Sequence, residues 1–197
     1  MAWDFFNEVG RKIIHITILI VLAVYAVFNQ KYGQQVALLV LTALLISFFV
    51  LEFFRLELNW RMPFFSVFIR PKEQHRVYGV ILFLSAAIIS LAIFDFPIAL
   101  AALLMTTFGD MTAALVGKKY GTTLIFKNKT LAGLMAELAV NLIVGLIIGF
   151  LFSLNIYIPI LMAFTATIVE TSLDELDDNL VVPICAGFIG QIIALLA

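Results

Sequence analysis

Seven apolar runs divide the chain, at positions 13–28, 36–54, 77–94, 96–116, 131–152, 156–169 and 180–197. Polar positions gather between the runs and do not alternate within them. A helix that crosses the hydrocarbon of a bilayer needs about 20 residues, within roughly 17–25. Most of the runs fit. The first and sixth are short, so their helices are expected to extend into the flanking residues. The runs are too long for strands, and an open sheet edge cannot face lipid. The pattern therefore predicts an all-α fold: a polytopic membrane helix bundle of about seven transmembrane helices, forming one domain over residues 1–197.

The connections differ in character. Asp95-Phe96-Pro97 and Ser153-Leu154-Asn155 read as tight turns, and Lys31 with Gly33 marks a short turn after the first helix. Long connections fall at 55–76, 117–130 and 170–179. Composition agrees with a membrane setting: 63% of residues are hydrophobic and 13% charged, with a mean hydropathy of +1.12. Soluble domains carry roughly a quarter charged residues. Cys185 is the single cysteine, so no disulfide framework is expected, and its apolar run makes it a small buried residue. The start, Met1-Ala2-Trp3-Asp4, and the lack of a small-residue cleavage site after the first run read as a retained anchor.

Charge sets the expected topology. With seven spans, eleven of the twelve Lys and Arg residues fall on one side, and Lys31 alone falls opposite. That asymmetry places the amino terminus in the cytoplasm. Among the carboxylates, Asp95 alone falls on the outer side.

The strongest chemical signal is the stretch from Gly109-Asp110 to Gly121. Asp110 interrupts an apolar helix about 10 Å from Gly117, where basic residues begin. A carboxylate inside the membrane is costly and is a functional candidate by default. Asp110, Ala113, Gly117 and Gly121 stand at i, i+3, i+7 and i+11, which is one helix face. The alternative is close packing through small residues, with Asp110 as a paired structural acid.

Three further groups stand near the predicted inner surface. Lys118, Lys119, Lys127 and Lys129 supply cations. Lys129 and Thr130 begin the fifth helix ahead of Gly133, and backbone amides, a hydroxyl and an ammonium at a helix start suit phosphate. The alternative for Lys118 and Lys119 is contact with lipid headgroups. Glu137 and Asn141, four apart, form a polar stripe on the same helix; Glu137 either lines an acceptor cavity or is a structural acid. The run from Glu170 to Asn179 holds five carboxylates within nine residues. A shared cation offsets their mutual repulsion, and oxygen-only ligands suit Mg²⁺. Glu170, Asp178 and Asn179 sit at predicted helix ends, whereas Asp174 and Glu175 read as solvated.

At the amino terminus, Arg11 and His15 share a face at the inner boundary. His15 is either a structural histidine or a contact for phosphate or an acceptor hydroxyl. Glu52 and Arg55, three apart, are expected to pair. The segment 60–71 mixes aromatic residues with Arg61 and Arg70, as an interfacial segment does.

Taken in order, these blocks resemble the CTP-dependent lipid kinases: dolichol kinase, phytol and farnesol kinase, and the yeast-type diacylglycerol kinase. That family's Asp-x-x-Ala-x-x-x-Gly-x-x-x-Gly pattern is matched by Asp110, Ala113, Gly117 and Gly121. Its Lys-Thr/Ser-x-Glu/Ala-Gly element is matched by Lys129, Thr130, Ala132 and Gly133. Its Glu…Asp-Asn-hydrophobic-x-x-Pro element is matched by Glu170, Asp178, Asn179, Leu180 and Pro183, and its Arg-Lys-x-x-His start by Arg11, Lys12 and His15. The spacer from Gly121 to Lys129 is shorter than in dolichol kinases, Ala132 stands where those often carry Glu, and their extra spans are missing. The chain looks more like the short phytol-kinase-like and prokaryotic members, which implies a prokaryotic cell membrane with the site facing the cytoplasm.

The resemblance implies transfer of the γ-phosphate of CTP to the hydroxyl of a membrane isoprenoid alcohol such as phytol, geranylgeraniol, farnesol or dolichol, with diacylglycerol as the alternative acceptor. It implies catalytic roles for Asp110, Lys129 and His15. Nucleotide binding falls to Arg11, Gly117, Lys118, Gly121, Lys129, Thr130 and Gly133. Mg²⁺ falls to Asp110, Glu170, Asp178 and Asn179, with Asp110 either ligand or base. No nucleic-acid partner is expected.

Two rival functions remain at this level. A lipid cytidylyltransferase also joins CTP to a membrane lipid, but the Lys-Asp element and the Gly-rich Asp-Arg-x-Asp-Ser block of the bacterial phosphatidate enzymes are missing. An ion-coupled transporter also uses intramembrane carboxylates, yet the polar residues here gather on one side.

Overall fold

The computed structural model describes residues 19–57, 79–126, 129–173 and 177–196. The chain divides into two compact units, Met1–Ile88 and Ile89–Ala197.

The first unit contains α1 (Leu19–Tyr32), α2 (Gln34–Glu57) and most of α3 (Gly79–Ile93). Helix α1 runs four residues past its apolar run and stops at Gly33. Gly33 adopts φ +86 and donates its N–H to the Asn29 carbonyl at 2.9 Å. A left-handed residue at this place closes a helix, and glycine adopts it without a Cβ penalty. Helix α2 is mostly exposed and apolar, as a lipid-facing helix is, with Glu52 buried near its end. Arg55 grips Glu52 with two hydrogen bonds of 2.6 and 2.7 Å. The expected pairing is thus present, and it sets a guanidinium beside a buried carboxylate.

The second unit holds the end of α3, then α4 (Phe96–Tyr120), β1 (Leu124–Phe126), β2 (Lys129–Thr130), α5 (Leu131–Leu151), α6 (Tyr157–Ser172) and α7 (Asp178–Leu196). Helix α4 starts with Pro97 in its first turn, where a missing N–H costs nothing. The Asp95 carbonyl accepts from Ile98 and Ala99, each at 2.9 Å. Asp95 and Gln191 of α7 bind reciprocally at 2.8 and 3.0 Å, tying this turn to the far end of α7.

Helices α4 to α7 pack as neighbours around one core, each antiparallel to the next. The register is read from the glycines. A Cβ on Gly133 would lie 2.9 Å from the Ala113 carbonyl, one on Gly109 would lie 2.5 Å from Asn141, and one on Gly145 would strike Met105. Ascending positions on α5 therefore meet descending positions on α4. Gly149 faces Pro159 of α6, and Gly190 of α7 faces Met162 and Ile98. Met105, Met162, Ile98 and Pro159 fill the middle of the unit. Small residues let the backbones approach closely, which is how helices associate in lipid. Gly133→Ala is expected to destabilise the protein by about 1–3 kcal/mol, because a backbone carbonyl cannot rotate out of the way. A lower thermal unfolding midpoint in detergent is the expected reading; an unchanged midpoint contradicts this packing.

Four helices, α2, α4, α5 and α7, are long and apolar enough to cross a membrane, and α1, α3 and α6 are shorter apolar helices. The helical membrane fold expected from the pattern is present, with four helices of spanning length among the described residues. Helix α6 extends three residues beyond its apolar run, which brings Glu170 into its last turns. Two expectations need correction. The 117–130 connection is not a plain loop: α4 continues to Tyr120, and β1 then pairs antiparallel with β2 through Leu124–Thr130 and Phe126–Lys129. Cys185 is half-buried, not buried.

Candidate functional site

The antiparallel register gathers polar residues from four helices, all within the second unit. Asp110 comes from α4, Glu137 from α5, Glu170 from α6, and Asp178 with Asn179 from the first turn of α7. One carboxylate oxygen each from Asp110, Glu170 and Asp178 lies within 4.8 Å of the others. Glu170 is buried at 1% exposure, while Asp110 and Asp178 are half-buried. The three acids span 68 positions of sequence, and only the folding of α4 against α6 and α7 joins them.

Lys129 stands at the edge of this cluster. Its Nζ bonds Glu170 Oε1 at 3.1 Å. Burial alone pulls the Lys129 ammonium towards lower pKa. The Glu170 carboxylate that it bonds, with Asp178 and Asp110 behind, outweighs this and holds it above the ordinary lysine value. Lys129 is therefore a fixed positive charge at neutral pH.

Thr130 caps α5: its Oγ1 accepts from the Gly133 N–H at 3.2 Å. The Leu131 N–H donates to the Thr123 carbonyl at 2.9 Å. Two of the three amides at this helix start are therefore engaged within the chain, in contrast to the exposed amides anticipated there. The ammonium of Lys129 remains the strong anion-directed group of this element.

Gly117, Gly121 and Gly133 account for the close seating of this cap. A Cβ on Gly117 would stand 3.0 Å from Thr130 Oγ1 and 3.6 Å from the Gly133 Cα, and one on Gly121 would meet Thr130 at 2.5 Å. Gly121 itself is the C-cap of α4 in extended backbone, so the small face continues past the helix end. Lys118 is exposed in the last turn of α4. Lys119 lies over the Tyr120 ring, 5.0 Å from its centroid.

Asn179 is buried and shapes the start of α7. Its Nδ2 donates to Asp177 Oδ1 at 2.8 Å, and its backbone N–H donates to Asp177 Oδ1 and Asp178 Oδ1, each at 3.0 Å. Pro183 lies four residues on and has no N–H to offer the Asn179 carbonyl. Arg11, His15, the 60–71 segment, Lys127, Asp174 and Glu175 lie outside the described residues.

A second polar layer, deeper in the bundle, is only partly legible in the sequence. Glu137 is buried one helical turn before Asn141, and Asn141 Nδ2 donates to Thr167 Oγ1 at 3.0 Å. The spacing of Glu137 and Asn141 marks a stripe. Thr167 carries no signal, since a threonine in an apolar helix usually bonds its own backbone.

The comparisons with known proteins bear on this geometry. The CTP-dependent diacylglycerol kinase 1 of Saccharomyces cerevisiae is 32% identical over 145 residues, covering 68% of this chain and 48% of that protein. The proteins of the same name from Eremothecium gossypii and Schizosaccharomyces pombe are 32% and 29% identical over 146 and 141 residues. These matches cover 68% and 66% of this chain, and 44% and 62% of those proteins. The chain belongs with the CTP-dependent lipid kinases. It spans about half the length of the first two relatives. No family model matches the chain. No solved structure matches it.

Proposed function

We propose that this protein transfers the γ-phosphate of CTP to the hydroxyl of a membrane lipid alcohol. The relatives' names put diacylglycerol first among acceptors, and isoprenoid alcohols follow from the motif resemblance. The reading rests on one observation above others. In a chain related to CTP-dependent kinases, three carboxylates from three helices converge within 4.8 Å beside a lysine.

The donor set fits a hard divalent cation. Mg²⁺ takes oxygen ligands at about 2.0–2.1 Å, so opposite ligands stand about 4.2 Å apart. One oxygen from each of the three carboxylates lies within 4.8 Å of the others, so the donors are gathered at one place. Asp110, Glu170 and Asp178 would hold the ion, which when bound neutralises charge on the phosphate oxygens.

Phosphoryl transfer is largely positioning and charge stabilisation. Lys129 supplies a point charge for the triphosphate as it enters from the aqueous side. The acceptor oxygen attacks the γ-phosphorus, the bond from that phosphorus to the β–γ bridging oxygen breaks, and CDP leaves with the electron pair. Asp110, half-buried, has one of two roles, ligand to the ion or acceptor of the hydroxyl proton. The apolar middle of the bundle, with Met105, Met162 and Ile98, supports a site that opens to one face only. The excess of Lys and Arg on one side of the predicted spans supports a cytoplasmic site.

The test uses purified protein in detergent–lipid micelles with Mg²⁺. CTP, ATP and GTP are each paired with diacylglycerol, geranylgeraniol, phytol and dolichol. A lipid monophosphate formed with CTP, fastest with diacylglycerol, is the expected product. No phosphorylated lipid from any pair contradicts the proposal.

A further inference from the structure

We propose that Asn141 is a positioning residue, a strut between α4 and α6 that fixes the spacing of the Asp110 and Glu170 carboxylates. This rests on the lipid-kinase reading, in which those acids hold the ion, and adds the element that keeps them in place.

Asn141 lies on α5 and is 1% exposed. It meets each neighbouring helix beside one of the acids. On α4 it meets Gly109, the residue before Asp110. A Cβ on Gly109 would stand 2.5 Å from Asn141 Oδ1, 3.1 Å from Nδ2 and 3.2 Å from Cγ. The amide group therefore occupies the space that a side chain on Gly109 would take. On α6 it meets Thr167, whose Oγ1 accepts from Asn141 Nδ2 at 3.0 Å. Thr167 and Glu170 are three apart on one helix face, about 4.5 Å along the axis. One planar amide thus reaches from the backbone of α4 to a side chain of α6, one residue from the first acid and one turn from the second.

This path governs the spacing because α5 packs against both α4 and α6 more extensively than those two pack against each other. Their separation is set through α5. Mg²⁺ demands near-ideal octahedral geometry at about 2.0–2.1 Å, and a site keeps its geometry only where its supports hold it within about 0.5 Å.

The choice of an amide has a cost. Among the described residues, the buried Asn141 Oδ1 has no hydrogen-bond partner. Such atoms are rare and destabilising. Packing alone is better served by an apolar residue at 141. An amide kept there at the expense of stability marks a position where a fixed width and a bond to Thr167 matter more, as happens beside functional sites.

Ion binding without nucleotide tests the strut. Mn²⁺ stands in for Mg²⁺, since it takes the same kind of oxygen ligands, and its paramagnetic signal reads the free ion over purified protein in detergent. Thr167→Val, which keeps the shape and removes the hydroxyl, is expected to weaken Mn²⁺ binding about tenfold. Thr167→Ser, which keeps the hydroxyl, should bind as wild type does. The double variant Asn141→Val with Thr167→Val removes both partners of the bond together with the unpartnered oxygen. Its thermal midpoint should match or exceed that of wild type, while its Mn²⁺ binding stays weakened. A role in packing alone predicts the reverse, a lower midpoint with unchanged binding. Wild-type affinity in Thr167→Val and in the double variant overturns the proposal and leaves the ion site and the kinase reading standing. Equal weakening by Thr167→Ser also overturns it. A wild-type protein that binds no Mn²⁺ overturns it together with the ion site. Weakened Mn²⁺ binding in the variants of a protein that phosphorylates no lipid would instead remove the kinase reading and leave the strut standing.

Discussion

Asp110→Asn is expected to lower phosphoryl transfer by at least about a hundredfold, the scale on which one preorganised charge acts at a transition state. The same substitution should stabilise the protein when divalent cations are absent. Asp110, Glu170 and Asp178 bring three carboxylates within 4.8 Å of one another, and like charges at that range oppose folding. Removing one relieves the repulsion. Adding Mg²⁺ should raise the thermal midpoint of wild type, since a ligand of the native state stabilises it, and should raise that of Asp110→Asn much less. Thermal unfolding with and without Mg²⁺, beside an activity assay, checks both signs. A variant that loses stability along with activity, and responds fully to Mg²⁺, would assign Asp110 to packing and not to the site.

Lys129→Ala is expected to reduce kcat/KM for CTP by about a hundredfold to a thousandfold and to leave the KM for lipid nearly unchanged. Lys129→Arg should recover only part of the loss, because a planar fork does not replace a compact ammonium. Truncation also strips Glu170 of its counter-charge. Glu170 is 1% exposed, but the Lys129 side chain is 36% exposed. The stability cost should therefore be about 1–2 kcal/mol, below that of a fully buried pair. Steady-state kinetics with each substrate varied in turn reads the first effect, and thermal unfolding the second. A loss that falls on the lipid KM would move Lys129 out of the nucleotide's path.

Much of this was legible because membrane helices announce themselves. An apolar run of sufficient length leaves few alternatives, and a lone carboxylate such as Asp110 stands out within one. The ends of α6 and α7 were legible for the same reason, since Glu170 and Asp178 mark the places where apolar runs stop and start. What pattern alone does not reveal is partnership. Lys129 and Glu170 lie 41 positions apart, and only the α5–α6 register joins them. The spacing from Asp110 to Gly121 signals a smooth face, yet it does not distinguish a nucleotide cradle from a helix contact. The contact of Gly117 and Gly121 with Thr130 and Gly133 is a matter of packing. The strand pair escapes notice because β1 has three residues and β2 two, too few for a period to register. The engaged Leu131 amide at the start of α5 follows from that pairing, since Thr123 is brought to Leu131 by it.

The most direct test follows the phosphorus. Purified protein in vesicles containing diacylglycerol is given Mg²⁺ and CTP radiolabelled at either the γ- or the α-phosphorus. Lipid labelled from the γ position alone, with CDP released, is the predicted result. Lipid labelled from the α position with release of pyrophosphate, or no labelled lipid from folded protein with either label, would contradict a kinase site at Asp110, Lys129, Glu170 and Asp178.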